Sequence, residues 1–234
     1  VKGDAELRAF RADHYGLFVS LLWREPSADV LASVVGGADG RIDAATRVQP
    51  LLGEGWRRIA ASVADVETVA EEYTRLFLGP FGADVNPYES YYLTGHVLDR
   101  PLAALRADLA EIDVKKDDRY AEPEDFLAVE LDVMRRLLER QARAGDPATE
   151  ERWLDAQAAF LKRHLLVWAP SAARDLAAAP HASFYAGVGL LLQGFLEVER
   201  ELFAGWGDEP LVTLEEARRR LGAPIAWKGP VFDP

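Results

Sequence analysis

Val66, Val69, Tyr73, Leu76 and Phe77 recur at spacings of three, four and seven behind Asp65, a residue that can cap a helix. That period puts every large side chain on one face of an α-helix and none on a pleated strand. The same spacing governs most of the chain. Leu7, Phe10, Leu17 and Leu21 share a face behind Asp4, and Glu25-Pro26-Ser27 ends that run. A shorter run through Val30 and Val34 stops at Gly36-Gly37, and Trp56 and Ile59 begin the next. Pro101, suited to a first turn, opens a helix carrying Leu102, Leu105, Leu109 and Ile112. Phe126, Val129, Val133, Leu137 and Leu138 form another stripe, closed by Gly145-Asp146-Pro147. Trp153, Phe160, Leu161, Leu165 and Trp168 line the next. After Pro170 and Pro180 comes an apolar helix with Phe184, Val188, Leu191, Leu192, Phe195 and Leu196. No run alternates as a strand does, and no segment repeats. The expected architecture is all-α, about nine or ten helices in a single helical domain. The charged stretch KKDDRYAEPED marks a seam near 113–125 between two sub-halves, and the Pro- and Gly-rich tail from Gly222 reads as irregular.

Composition narrows the function. The apolar share, 49% of 234 residues, suffices for a packed core. Without cysteine there is no disulfide framework, thiolate metal site or cysteine nucleophile. A net charge of −12 with no basic stripe argues against nucleic acid and anionic lipid; it either attracts a basic partner or simply serves solubility. No stretch reaches the roughly 18 apolar residues of a membrane span. The first residues, VKGDAELRAFRADHYG, lack the apolar core of a secretory signal, so a cytoplasmic protein is expected.

Catalytic chemistry finds little support. His14, His96, His164 and His181 have neither a His four residues away nor an acid three residues before, so helical zinc and di-iron patterns are missing. His164, beside an apolar stripe, reads as a hydrogen-bonded core or boundary residue. Asp117-Asp118 lacks the second acidic run of a magnesium-diphosphate site. Gly187-Val-Gly189 lies in a helical pattern without its third glycine, and Ser90 lacks a nucleophile elbow. No cofactor and no catalytic residue is expected.

The remaining unusual stretch is EYTRLFLGPFGADVNPYESYYLTG, Glu72 to Gly95. Its helix breaks at Gly79-Pro80, Asn86-Pro87 forces a second kink, and Tyr88, Tyr91 and Tyr92 follow on what reads as a loop. These rings either cap the core or form a groove wall, a task suited to tyrosine's apolar body and polar tip.

RLFLGP followed by NPYESYYLTG is similar to the signature of the TorD/DmsD/NarJ family of redox-enzyme maturation chaperones. EPEDFLAVELDVMRRL (Glu122 to Leu137) resembles that family's acidic loop and following helix. FLKRHLLVWAP (Phe160 to Pro170) and FYAGVGLLLQGFL (Phe184 to Leu196) resemble its later blocks. The blocks occur in family order and span most of Tyr73 to Leu196. The resemblance implies a TorD-like all-helical cytoplasmic chaperone, not an enzyme. It would bind the apo catalytic subunit of a molybdopterin oxidoreductase and its leader peptide, often a twin-arginine leader, during cofactor insertion and before export. Such a leader, basic in front and apolar behind, calls for an apolar groove with an acidic rim. Tyr73, Leu76, Phe77, Pro87, Tyr88 and Tyr91 are the groove candidates. Glu122, Glu124, Asp125 and Glu130 are the rim candidates. One departure stands out: several members carry Asp-His where this chain has Asp125-Phe126, and phenylalanine can neither hydrogen-bond nor titrate. Phe126 therefore reads the leader differently or points into the core, and Asp125 is a rim residue or a helix cap. A small helical enzyme or nucleotide-binding protein and a permanently bound assembly subunit remain the alternatives; homodimer formation stays open.

Overall fold

The computed structural model describes residues 4–62, 65–79, 82–117 and 119–222. Pro80, Asp118 and the tail beyond Gly222, which figured in the sequence reading, lie outside the described residues. Helix accounts for 73% of the structure in one domain, and no strand forms among the described residues. The α-helical segments are α1 (Ala5–Leu22), α2 (Ala28–Gly36), α3 (Ala38–Val48), α4 (Pro50–Ala61), α5 (Val66–Tyr73) and α6 (Glu89–Thr94). They continue with α7 (Arg100–Glu111), α8 (Leu127–Ala142), α9 (Pro147–Phe160), α10 (Leu166–Ala178), α11 (Phe184–Phe203) and α12 (Leu214–Arg220). A π-helical turn, Thr74–Leu78, extends α5, and another, Leu161–Leu165, fuses α9 to α10. Counted as continuous rods, the described residues hold 11 helices.

Local chemistry explains most boundaries. Asp4, Ser27, Asp65, Asp146 and Thr213 each accept a backbone N–H at the start of the helix that follows. Pro50, Pro101 and Pro147 occupy first turns, where the missing N–H costs nothing. Three features depart from the sequence reading. Helices α3 and α12 and the first half of α4 were not anticipated: α3 buries only Ala38 and Ala45, and α12 buries nothing. Gly36-Gly37 ends α2 as expected, yet the chain re-enters a helix at Ala38. Pro170 lies inside α10 instead of breaking it. A widened π-helical turn, Leu161–Leu165, ends one turn before it.

One continuous apolar core joins both sides of the charged 113–125 stretch. Helix α4 packs along α11, α3 on α4, α10 on α11 and α1 on α8. The α4–α11 crossing is nearly backbone to backbone. A Cβ on Gly55 would lie 2.6 Å from the Leu191 nitrogen, and one on Gly187 would lie 2.9 Å from the Ile59 nitrogen. Glycine there is a packing requirement. Between α1, α9 and α11 a fully buried ion pair is completely solvated by side chains. Arg11 Nε and Nη2 donate to Glu199 at 2.6 and 2.8 Å, Arg11 Nη1 donates to Gln157 at 2.8 Å, and the Tyr15 hydroxyl donates to Glu199 at 2.7 Å.

Candidate functional site

The aromatic segment is fastened to the acidic turn by a two-residue backbone bridge. The Glu89 N–H donates to the Asp125 carbonyl, and the Leu127 N–H to the Pro87 carbonyl, both at 2.9 Å. The bridge pairs Tyr88 with Phe126. Asp125 Oδ2 accepts the Ser90 N–H at 3.1 Å and the Ser90 hydroxyl. Asp125 is thus a helix cap, but for α6 and not for α8, the helix that it precedes in sequence. Residues 89–94, read as loop from the sequence, are helical because this cap arrives from elsewhere in the chain and because Gly95, at φ +81°, closes the far end.

The aromatic side chains of this region form two groups, the first of them at this fastening. In the first, Phe126 is buried, with its ring centroid 5.5 Å from that of Tyr88 and 6.0 Å from that of Trp23. Trp23 continues edge-on at 5.1 Å to the exposed Tyr120. Half-buried Tyr88 donates its hydroxyl to Glu122 at 2.8 Å. Burial first, and Glu122 second, push that phenol above its usual range. Of the two readings of Phe126, the structure shows the inward one. In the second group, Tyr73, Phe77 and Tyr185 have mutual centroid distances of 4.8 to 5.9 Å. Tyr73 and Leu76 are buried, and Phe77 remains half-exposed. The Tyr73 and Tyr185 hydroxyls donate to the Leu22 and Leu21 carbonyls, which ties this group to the end of α1. Burial holds the Tyr73 phenol up, to about 12, with Glu122 and Glu25 adding to the shift.

Behind Glu72 and Tyr73 the same helix turns an acidic face outward. Glu25, Glu67, Glu71 and Asp84, with Thr74, Arg75 and His181, line a cleft of about 820 Å³. Within it Glu25 accepts from the Thr74 hydroxyl at 3.1 Å and Asp84 pairs with His181 at 2.9 Å.

The rim candidates separate. Glu122 and Glu124 are partly exposed; Glu122 holds Tyr88, and Glu124 pairs with Arg106 at 2.8 Å. Asp125 and Glu130 are fully buried and stand on no rim in this conformation. Glu130 sits one turn into α8 on the core side, where Trp168 Nε1 donates to both of its oxygens at 3.1 and 3.2 Å. Burial, reinforced by nearby Glu89, holds its carboxyl well above the usual carboxylate range. Glu89, also raised by burial, accepts from His164 Nδ1 at 3.1 Å, and His164 Nε2 meets Asp108 at 3.0 Å. Burial opposes charging of His164, but these two carboxylates overcome it and push the imidazole up to about 9. His164 is therefore the buried, hydrogen-bonded residue that its position beside an apolar stripe suggested. Half-buried Tyr91 stands edge-on to Tyr92, and Pro87 is buried under the bridge.

Sequence reasoning missed Trp23, Glu25, Glu72 and the acidic face of α5. The signal for that face was present: Glu67, Glu71 and Thr74 repeat at helical spacing opposite Val69, Tyr73 and Leu76. Among the described residues no group of three or more His, Asp or Glu is placed to hold a metal ion, and no helix is long and apolar enough to cross a membrane.

The described residues thus combine a packed helical core, a fastened aromatic segment and an acid-lined cleft. Residues 45–174, more than half of the chain, match the nitrate reductase delta subunit family, and the chain belongs to that family. Its curated relatives include the chaperone protein TorD of Aeromonas salmonicida, 32% identical over 148 residues, which are 63% of this chain and 66% of that protein. The TorD of Photobacterium profundum is 26% identical over 204 residues, 83% of this chain and 94% of the relative. The TorD of Aliivibrio fischeri is 27% identical over 139 residues, 58% and 65% respectively. The chain thus spans just under two thirds of the first and third relatives and nearly all of the second. These relatives are named as chaperones, not enzymes.

Proposed function

We propose that this protein is a maturation chaperone for the catalytic subunit of a molybdenum-containing oxidoreductase. It acts in the cytoplasm and holds the apo-subunit, through its leader peptide, while cofactor is inserted. Family membership supports the class. The observation that supports the mode of binding is an acid-lined cleft beside α5, with the partly exposed rings of Phe77, Tyr88 and Tyr91 on the segment that follows that helix. A leader with basic residues before an apolar stretch matches that order of surfaces: guanidinium groups against Glu25, Glu67, Glu71 and Asp84, apolar side chains against the rings. Arg75 and His181 moderate the charge of the cleft without reversing it. Glu122 supports the groove by holding Tyr88, whereas Asp125 and Glu130 act from inside, by keeping α6 and α8 in place.

Titration calorimetry with the leader of the partnered oxidoreductase tests this reading. The expected result is a dissociation constant of about micromolar, near −8 kcal/mol. It should weaken about tenfold or more for Tyr88→Ala and for the double reversal Glu67→Lys/Glu71→Lys, and hardly change for Arg47→Glu on remote α3. Equal binding by all these variants would refute the placement. Failure of both leader and apo-subunit to bind would refute the chaperone role.

A further inference from the structure

A second cleft, of about 480 Å³, opens on the other side of α10, between α10, α11 and the stretch that leads into α12. Its floor is apolar, formed by Leu166, Pro170, Leu196 and Leu214. Its ends are cationic. Arg174 stands on the α10 turn that Gln193 reaches across to, donating to the Ala173 carbonyl at 3.4 Å. Arg200 stands seven residues beyond Gln193 on α11, about 10 Å further along that axis at 1.5 Å per residue.

The chain carries 39 acidic against 27 basic residues. Several surface arginines take an acid as partner, as Arg106, Arg119, Arg136 and Arg163 do. These two do not. Among the described residues neither has a carboxylate within ion-pair distance. Arg174 donates only to the neighbouring Ser171 hydroxyl at 2.8 Å. The one carboxylate lining the cleft, Glu197, is engaged by the side chain of Gln49. Arg200 and the Val212–Leu214 wall lie beyond the residues that match the family, which end at 174.

We propose that this cleft binds an acidic amphipathic segment of a partner protein, with two carboxylates about 10 Å apart on either side of an apolar side chain. Charge complementarity selects the occupant. Each guanidinium offers a carboxylate a forked pair of donors, and the floor between them accepts the apolar residue. A helix with acids seven residues apart on one face has the required span. The site is opposite in sign to the α5 cleft and on a different face of the fold, so its occupant is not a basic leader. A net charge of −12 repels anionic bilayers and disfavours a lipid occupant.

The test uses a fluorescein-labelled Ala/Leu helical peptide with two glutamates seven residues apart, its glutamine twin, and fluorescence anisotropy on the full chain. The expected result is saturable binding of the glutamate peptide and at least about tenfold weaker binding of the glutamine peptide. Arg174→Glu and Arg200→Glu should each lose about tenfold, Arg143→Glu at the far end of α8 should change little, and affinity should fall as salt rises. Methyl chemical-shift changes confined to Leu166, Leu196 and Leu214 in the unsubstituted protein place the peptide without depending on how the variants fold. Equal affinity for both peptides, or shifts elsewhere, would overturn the proposal. So would preferential capture of phosphatidylserine vesicles, or concentration-dependent dimers abolished by the arginine reversals, since these assign the cleft to a membrane or to a second copy.

Discussion

Glu72 caps a helix to which it does not belong. Ser183, at the N-terminus of α11, supplies no side-chain cap, and α11 is the longest uninterrupted α-helical segment in the described structure. The buried Glu72 carboxylate, projecting from α5, accepts the N–H groups of Ser183, Phe184 and Tyr185 at 2.8, 3.2 and 2.7 Å. Negative charge at that end also suits the helix dipole. Glu72→Ala strands three donors. Each hydrogen bond to a charged acceptor is worth about 1.5–3 kcal/mol, but entering water recovers part of the loss. A capping substitution alone costs about 0.5–2 kcal/mol. The expected net loss is about 3 kcal/mol, or roughly 6–12 °C in Tm for a chain of this size. Glu72→Gln keeps one acceptor oxygen and removes the charge, and should lose about 1 kcal/mol. Urea unfolding followed by tryptophan fluorescence gives both free energies, and circular dichroism gives the melting temperatures. Losses below about 0.5 kcal/mol for the alanine variant, or equal losses for the two, would refute the capping argument. Because Tyr73 follows Glu72 and packs on Tyr185, leader affinity should fall with stability in the alanine variant and survive in the glutamine one.

His164 makes stability pH-dependent. Its folded pKa, about 9, lies above the usual imidazole value, so its contribution is complete below about pH 6.5 and disappears as pH rises through 9. The unfolding midpoint should decline over that interval in the parent and stay flatter in His164→Gln; parallel profiles would contradict the Glu89–His164–Asp108 geometry. Gly55→Ala should destabilise by about 2 kcal/mol or more, because its Cβ meets the α11 backbone at 2.6 Å. Gly36→Ala, with nothing within 4 Å, should be neutral or slightly stabilising in the same chemical melts.

Most of the fold was legible because the long helices bury large residues at helical spacing, several of them behind a polar cap: Asp4 before α1, Asp65 before α5, Asp146-Pro147 before α9. Helices that bury little left little trace. The mark of α12 was its capping box, Thr213 with Glu216 three residues on, whose N–H does donate to the threonine hydroxyl. Helix α6 was hidden for a different reason: its cap, Asp125, lies 35 residues away from Ser90. The site was legible in composition and not in orientation. Tyr88, Glu122 and Phe126 do come together, but period alone could not tell Glu130, which faces Trp168 in the interior, from Glu122, which is partly exposed and holds Tyr88. Partners distant in the chain decide burial there. The family resemblance supplied what periodicity could not, the expectation of a chaperone.

The pairing of residues 87–89 with 125–127 gives α6 and α8 a shared fate. The first amide of α8 depends on the Pro87 carbonyl, and the start of α6 depends on the Asp125 carbonyl and carboxylate. Neither helix can loosen its first turn without stripping the other. A ligand that pries Tyr88 away from Phe126 therefore unzips two helix ends in one event, and that event reaches Trp168 through Glu130 and His164 through Glu89.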